Sequence, residues 1–334
     1  MPALRRILRS HKKHLMALDN VVGVGIGHKM VRNQSTGKKS ITVFVKEKIP
    51  SEELRRGHRV PPRLSGVDTD VVETGTFKLL GRRDRHRPAF PGMSISHYRV
   101  TAGTFGALVK DRKTDRLLIL SNNHVLANAT NGEDGRSKIG DFILQPGVYD
   151  NGNYEKDAIA KLFRFEPVHG LIEDSRGLVA QAAALGATGL LKTFVGDYRV
   201  KLERETWVEN LVDAALAEPL SNDLVAGTVM DLGDITGSGE VQIQEKVKKS
   251  GRTSGVTYGW VHAVEVTIRV VLREGYEALF ADQVMTTMFS QPGDSGSVVL
   301  NEKNQAVGLL FAGSGTLTLF NRFSNVLRLL DVYL

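Results

Sequence analysis

Ser295 is the residue in this chain whose setting most resembles that of a reacting group. It lies in Phe289-Ser290-Gln291-Pro292-Gly293-Asp294-Ser295-Gly296-Ser297, ahead of the apolar run Val298-Val299-Leu300. A serine hydroxyl becomes a useful nucleophile only when a base takes its proton and backbone N–H groups receive the charge that develops on the attacked carbonyl oxygen. Gly-Asp-Ser-Gly supplies part of that requirement. Its glycines let the backbone come close to a substrate and adopt conformations a side chain would forbid. The same four residues also make an ordinary β-turn, so the base and its partner decide between the two readings.

A base is available upstream. Gly103-Thr104-Phe105-Gly106-Ala107-Leu108-Val109, a polar turn from Lys110 to Asp115, and Leu117-Leu118-Ile119-Leu120-Ser121 read as a β-hairpin. Its second strand runs into Asn122-Asn123-His124-Val125-Leu126. An imidazole needs a buried carboxylate to hold its ring and stabilise its charged form. Two aspartates between His124 and Ser295 open apolar strands, Asp157 in Asp-Ala-Ile-Ala-Lys-Leu and Asp213 in Val-Asp-Ala-Ala-Leu-Ala. Asp157 follows Glu155 and Lys156, as at an exposed strand start, whereas Asp213 has apolar neighbours on either side.

The strand ending in Asn-His-Val-Leu, joined with Gly-Asp-Ser-Gly, resembles the chymotrypsin-like serine peptidases, in particular their disulfide-free relatives. The resemblance implies a mainly β, chymotrypsin-like double β-barrel and peptide-bond hydrolysis through an acyl-enzyme. His124 would be the general base and Ser295 the nucleophile. Asp213 fits the family's Asp-(Ile/Ala)-Ala-Leu strand better than Asp157 and is favoured as the third member. The N–H groups of Gly293 and Ser295 would form the oxyanion hole. Phe289, six residues before Ser295, falls where the base of the specificity pocket is expected, and Phe311, Ala312 and Gly313 in the strand after the nucleophile would line it. An apolar residue at 289 argues against a preference for Lys or Arg and for a small or medium apolar P1 residue. Such chemistry needs no metal and no organic cofactor. The alternative is a peptidase fold kept as a binding or scaffold module with weak or absent turnover.

The elements that must hold these residues fall into three expected parts: residues 1–81, a basic linker 82–97, and a double-barrel domain 98–334. The N-terminal stretch sets Arg5, Arg6, Arg9, Lys12 and Lys13 among Leu4, Ile7, Leu8 and Leu15, giving a short basic amphipathic helix. Val21–Gly27, Ser40–Val45 and Thr69–Glu73 read as strands of a small α/β unit. The phrase Asn-Val-Val-Gly-Val-Gly-Ile-Gly, with Gly-Val-Asp-Thr-Asp-Val-Val-Glu after it, resembles the leader domain of a non-secreted, cysteine-free group of trypsin-like proteins from bacteria, which includes the plant narrow-leaf proteins. Arg82-Arg83-Asp84-Arg85-His86-Arg87-Pro88 reads as the linker. Between His124 and Asp213 an insertion at about 169–210 shows helical tendency over Ser175–Leu185 and Glu203–Leu211, either as a decoration covering the barrel or as a lid or oligomer contact. The family's zymogens activate by pairing a new N-terminus with the aspartate before the nucleophile. No Ile-Val-Gly-Gly-type start stands near the linker, so Asp294 is expected to find an internal donor.

Composition bounds the rest. The 334 residues include no cysteine, so packing alone must hold the fold, and a cytoplasmic setting is expected. The formal charge of +7 allows acidic partners, but sparse aromatics and the lack of a recognised motif argue against nucleic acid as one. No apolar run reaches the roughly 18 residues of a membrane span. The expected partner is a protein or peptide substrate, and homo-oligomer formation is left open.

Overall fold

Leu117-Leu118-Ile119-Leu120 does not alternate with polar residues because both faces of its strand are covered. Ile119 points into one apolar cluster with Ile95, Phe105, Ile143 and Ile159, while Leu118 and Leu120 point into another with Val109, Leu300 and Phe323. The same alternation splits Ala215 and Ala217 from Ala214 and Leu216. A strand buried on both sides reads as a continuous apolar run. These contacts are seen in a computed structural model that describes the chain except at residues 32, 33, 51, 56, 77–80, 101 and 176.

The chain divides into two compact units, residues 1–79 and 80–334. In the first, the helix Pro2–Met16 begins on a proline, which suits a first helical turn whose N–H groups lack partners. Leu4, Ile7, Leu8 and Leu15 pack with Ile41, Val43 and Leu64 of a four-stranded sheet. Its strands are Val21–Val31, Gln34–Val45, Val67–Glu73 and Arg63–Leu64, in that spatial order.

The second unit holds two closed barrels. In one, Ser94–His97, Phe142–Leu144, Ala158–Phe165, Ala215–Pro219, Leu117–Ser121 and Ala107–Asp111 pair in succession. The chain from Gly103 through Asp111 closes the ring. Its start pairs with Ser94 and Ile95, Phe105 donates to the Met93 carbonyl (2.8 Å), and Gly106 donates across to Leu120 (2.9 Å). In the other, Tyr276–Thr286, Gly255–Arg273, Lys246–Gly251, Val298–Asn301, Ala306–Gly313 and Thr318–Arg322 follow one another, and pairing between the first and last closes the ring. Val247, Val261, Val284, Val299, Leu310 and Phe320 fill it. These paired barrels are the chymotrypsin-like, mainly β architecture that the sequence resemblance implies.

Two expectations need correction. Residues 82–97 are no linker but part of the second unit: Ser94–His97 is a barrel strand, and Arg82, Arg85 and Arg87 find partners distant in sequence. Arg82 pairs with Asp231 (2.5 Å) and Arg85 with Asp157 (2.9 Å), while Arg87 donates to the Gln145 side chain (2.5 Å). In the insertion, one helix runs further than expected, over Leu178–Phe194, and its apolar Leu178, Val179 and Leu185 are exposed. Residues 203–211 are extended, not helical. Glu203–Glu205 pairs with Ile172–Asp174, and Glu209–Asn210 runs beside Leu279 and Phe280. Thr206, Trp207 and Val208 lie between the two pairings, in neither strand, and as β-branched or aromatic residues they weaken any helix through this stretch.

Candidate active site

His124 stands in the short helical turn Asn123–Leu126 that follows the strand Leu117–Ser121. Two buried asparagines fix this turn. Asn122 donates to the backbone carbonyl of Asp213 (2.6 Å). Asn123 donates to the carbonyls of Thr130 (3.0 Å) and Glu166 (2.7 Å) and accepts from Thr130 N–H (3.0 Å). The backbone that carries the imidazole is therefore anchored by the two residues before it.

Asp213 is fully buried, and its carboxylate faces His124. One oxygen lies 2.5 Å from Nδ1 of the ring and the other accepts the His124 backbone N–H at 3.0 Å. A carboxylate only accepts, so the proton of this pair sits on Nδ1, and Nε2 has no protein partner among the described residues. Asp213 is in turn held by the second barrel: its N–H donates to Asn321 Oδ1 (3.1 Å), and Asn321 donates to Gln283 (2.7 Å). The other candidate, Asp157, is engaged elsewhere, by Arg85 and by the N–H of Asn153 (2.8 Å). The structure brings Asp213, and not Asp157, to His124.

Ser295 opens onto the same cleft as His124, a space of about 810 Å³ also bordered by Gly293, Phe311 and the hairpin residues Ile268, Val270 and Met285. Its hydroxyl donates to the Phe311 carbonyl at 3.3 Å, and no hydrogen bond joins it to the imidazole among the described residues. The N–H groups of Gly293 and Ser295 have no protein acceptor among the described residues, whereas those of Asp294 and Gly296 are used by Gln291 and Leu310. Gly293 has φ +96°, and a Cβ there would meet Thr253 Oγ1 at 2.6 Å and Arg252 Nη1 at 2.8 Å. Only glycine fits.

The internal donor expected for Asp294 is Lys249. Both side chains are fully buried, with Nζ and Oδ2 3.0 Å apart. The carboxylate also accepts from Ser254 Oγ (2.5 Å) and from the N–H groups of Thr253 (2.8 Å), Ser254 (3.0 Å) and Gln291 (3.0 Å). Burial pushes the carboxyl upward, but the ammonium and these hydrogen bonds outweigh it and hold Asp294 below its ordinary range. The negative charge fixes the turn that carries Ser295.

Beside Ser295 a second hollow of about 500 Å³ is lined by Phe289, Ser290, Gln291, Ala312 and Gly313, with no charged side chain among its walls. Three of the four expected pocket residues meet here. Phe289 is 54% exposed, so it stands at the rim and does not close the base. Phe311 turns the other way, into the larger cleft, with its ring centroid 4.7 Å from that of Phe280.

The roles of Asn122, Asn123, Asn321 and Lys249 emerge only from the fold. The asparagines are the one visible signal, two uncharged polar residues between an apolar strand and the histidine.

The two barrels, with an imidazole–carboxylate pair and a serine turn on one cleft, define the chymotrypsin-like class of fold. In sequence the chain is similar to serine protease 2 of Streptomyces fradiae, 32% identical over 82 residues, which is 25% of this chain and 44% of that one. The match thus spans less than half the length of that relative. Similar solved structures include Thermobifida fusca protease A (TM-score 0.45, 16% identity, covering 73% of this chain and 96% of that one). The Cellulomonas bogoriensis chymotrypsin gives 0.44 at 15% identity, covering 73% and 97%. A serine protease specific for glutamic acid gives 0.46 at 16%, covering 74% and 100%. No protein-family model matches the chain.

Proposed function

We propose that the protein is a serine endopeptidase. The reading rests above all on the His124–Asp213 pair facing the same cleft as Ser295, with the N–H groups of Gly293 and Ser295 free of acceptors among the described residues. Rotation about χ1 takes the Ser295 hydroxyl from the Phe311 carbonyl towards Nε2 of His124. Oγ then forms a bond to the substrate carbonyl carbon, the π pair moves to the carbonyl oxygen, and the hydroxyl proton passes to Nε2. The two free N–H groups receive the oxyanion; one such donor contributes about 3 kcal/mol to transition-state stabilisation in related enzymes. Collapse breaks the C–N bond, and the amine leaves with the proton from His124. Water, deprotonated by the same nitrogen, then cleaves the acyl ester. Asp213 holds the ring and stabilises its charged form throughout.

The uncharged hollow beside Ser295 supports a small or medium apolar residue at P1. The test is digestion of a denatured proteome by the wild type beside Ser295→Ala, with the new termini mapped. New termini after apolar residues that vanish in the variant are expected. Cleavage chiefly after Lys, Arg or Glu would refute the pocket assignment, and identical digests would refute the activity.

One observation favours the second reading, a binding module with weak turnover: the Ser295 hydroxyl is bonded to Phe311 and not to His124. Digests indistinguishable between wild type and Ser295→Ala are the outcome that reading requires.

A further inference from the structure

Gly293 poses a problem of its own. Its neighbours leave no room for a Cβ, yet glycine is the residue least able to fix the peptide that precedes it. The Pro292–Gly293 bond is trans, so its C=O and N–H point in opposite directions. If that peptide turned over, a carbonyl oxygen would face the cleft where the N–H is needed, and it would repel an oxyanion. Something outside the glycine must hold the carbonyl back.

Among the described residues one group meets that carbonyl. Thr253 Oγ1 donates to Pro292 O at 2.8 Å. The hydroxyl's acceptor side is itself occupied: Arg252 Nη1 donates to it at 2.9 Å. Arg252 is nearly buried and tied to the nearly buried Asp150, with Nε 2.7 Å from Oδ2. A guanidinium donating into the hydroxyl leaves its proton free to point only outward, at Pro292, and strengthens the bond it makes. The main chain of Thr253 is fixed independently through its N–H on Asp294. On the far side of the glycine, Thr104 Oγ1 accepts from Arg252 N–H (3.0 Å) and donates to Gly293 O (2.8 Å).

We propose that Thr253 is a positioning residue for the oxyanion donor. Its hydroxyl, oriented by the Asp150–Arg252 pair, pins the Pro292 carbonyl away from the cleft and so turns the Gly293 N–H into it. The proposal rests on the endopeptidase reading above, since only a developing oxyanion gives that N–H a chemical role.

The test uses the full chain and a fluorophosphonate–rhodamine probe. In the labelling step Ser295 Oγ forms a bond to phosphorus, the P–F bond breaks, fluoride leaves with its electron pair, and the hydroxyl proton passes to His124. Negative charge develops on the phosphoryl oxygen, at the place an oxyanion would occupy. Thr253→Val keeps the volume and removes the donor; Thr253→Ser keeps the donor. The expected result is a maximal labelling rate about tenfold lower in Thr253→Val, with the concentration for half-maximal rate unchanged within about twofold, and recovery in Thr253→Ser; the tenfold corresponds to one polarised hydrogen bond. A purely structural role would not divide the two parameters in this way. Wild-type rates in Thr253→Val, a change confined to the half-maximal concentration, or failure of serine to restore the rate would each overturn the proposal. If Thr253→Val does not fold, Thr253→Ala beside Thr253→Ser decides by the same criteria. An unlabelled wild type would instead remove the endopeptidase reading, and this inference with it.

Discussion

Replacing Lys249 with methionine isolates the charge that holds the serine turn. The side chain keeps its approximate length, but Asp294 loses the ammonium 3.0 Å away while both positions remain fully buried. Removing one partner of a buried ion pair costs about 3–5 kcal/mol, because the remaining charge is left uncompensated. Asp294 retains one hydroxyl and three N–H donors, which places the expected loss near the lower end, about 3 kcal/mol. Both tryptophans, Trp207 and Trp260, lie in the second unit, so their fluorescence in a urea titration reports on this unit. The pH dependence supplies an independent sign. Asp294 is held below its ordinary value of 3.8, so its contribution is present above that value and is lost as pH falls through the lower folded value. Without the ammonium the folded value rises, and the acid unfolding midpoint moves to higher pH. A variant within about 0.5 kcal/mol of wild type, with an unmoved acid midpoint, would refute the argument that this pair holds the turn.

Two further substitutions separate roles that the sequence alone left open. Asp213→Asn should reduce turnover by about 10⁴-fold, the effect of losing the carboxylate in related Ser-His-Asp chemistry. Asp157→Asn should leave turnover unchanged and lower stability by about 1 kcal/mol, because its partner Arg85 is half exposed. Proteome digestion rates and urea melts of the pair check both, and equal activity losses would contradict the assignment of Asp213. Gly293→Ala forces a side chain into a left-handed conformation and against Thr253 and Arg252. It should cost about 1–3 kcal/mol of stability and slow fluorophosphonate labelling by about 100-fold or more through displacement of the N–H. A normally reactive alanine variant would mean that this N–H does not face the reacting oxygen.

The three residues of the candidate site were legible because each sits at the end of a recognisable local element. Ser295 occupies a glycine-flanked turn, His124 the end of an apolar strand, and Asp213 the start of another. The residues that hold them were not, because their partners lie far along the chain. Nothing local to Thr318–Arg322 indicates that Asn321 will meet Asp213, 108 positions earlier. Lys249 lies on the barrel strand Lys246–Gly251, and its partner Asp294 stands 45 positions further along the chain. The same cause explains the misread linker: Arg82 and Arg85 look like exposed charge because Asp231 and Asp157 are invisible at short range. In residues 203–211, pairing of 203–205 with 172–174 and of 209–210 with 279–280 overrode a weak helical preference, a contest that propensity alone does not resolve.

An endopeptidase of this kind depends on the reactivity of one hydroxyl. Intact-mass and peptide-level analysis after fluorophosphonate treatment measures it directly, with His124→Ala and Ser295→Ala treated in parallel. A single adduct on Ser295, absent from the serine variant and greatly slowed in the histidine variant, is the predicted result. An unmodified wild-type chain, or an adduct on another residue that survives both substitutions, would contradict it.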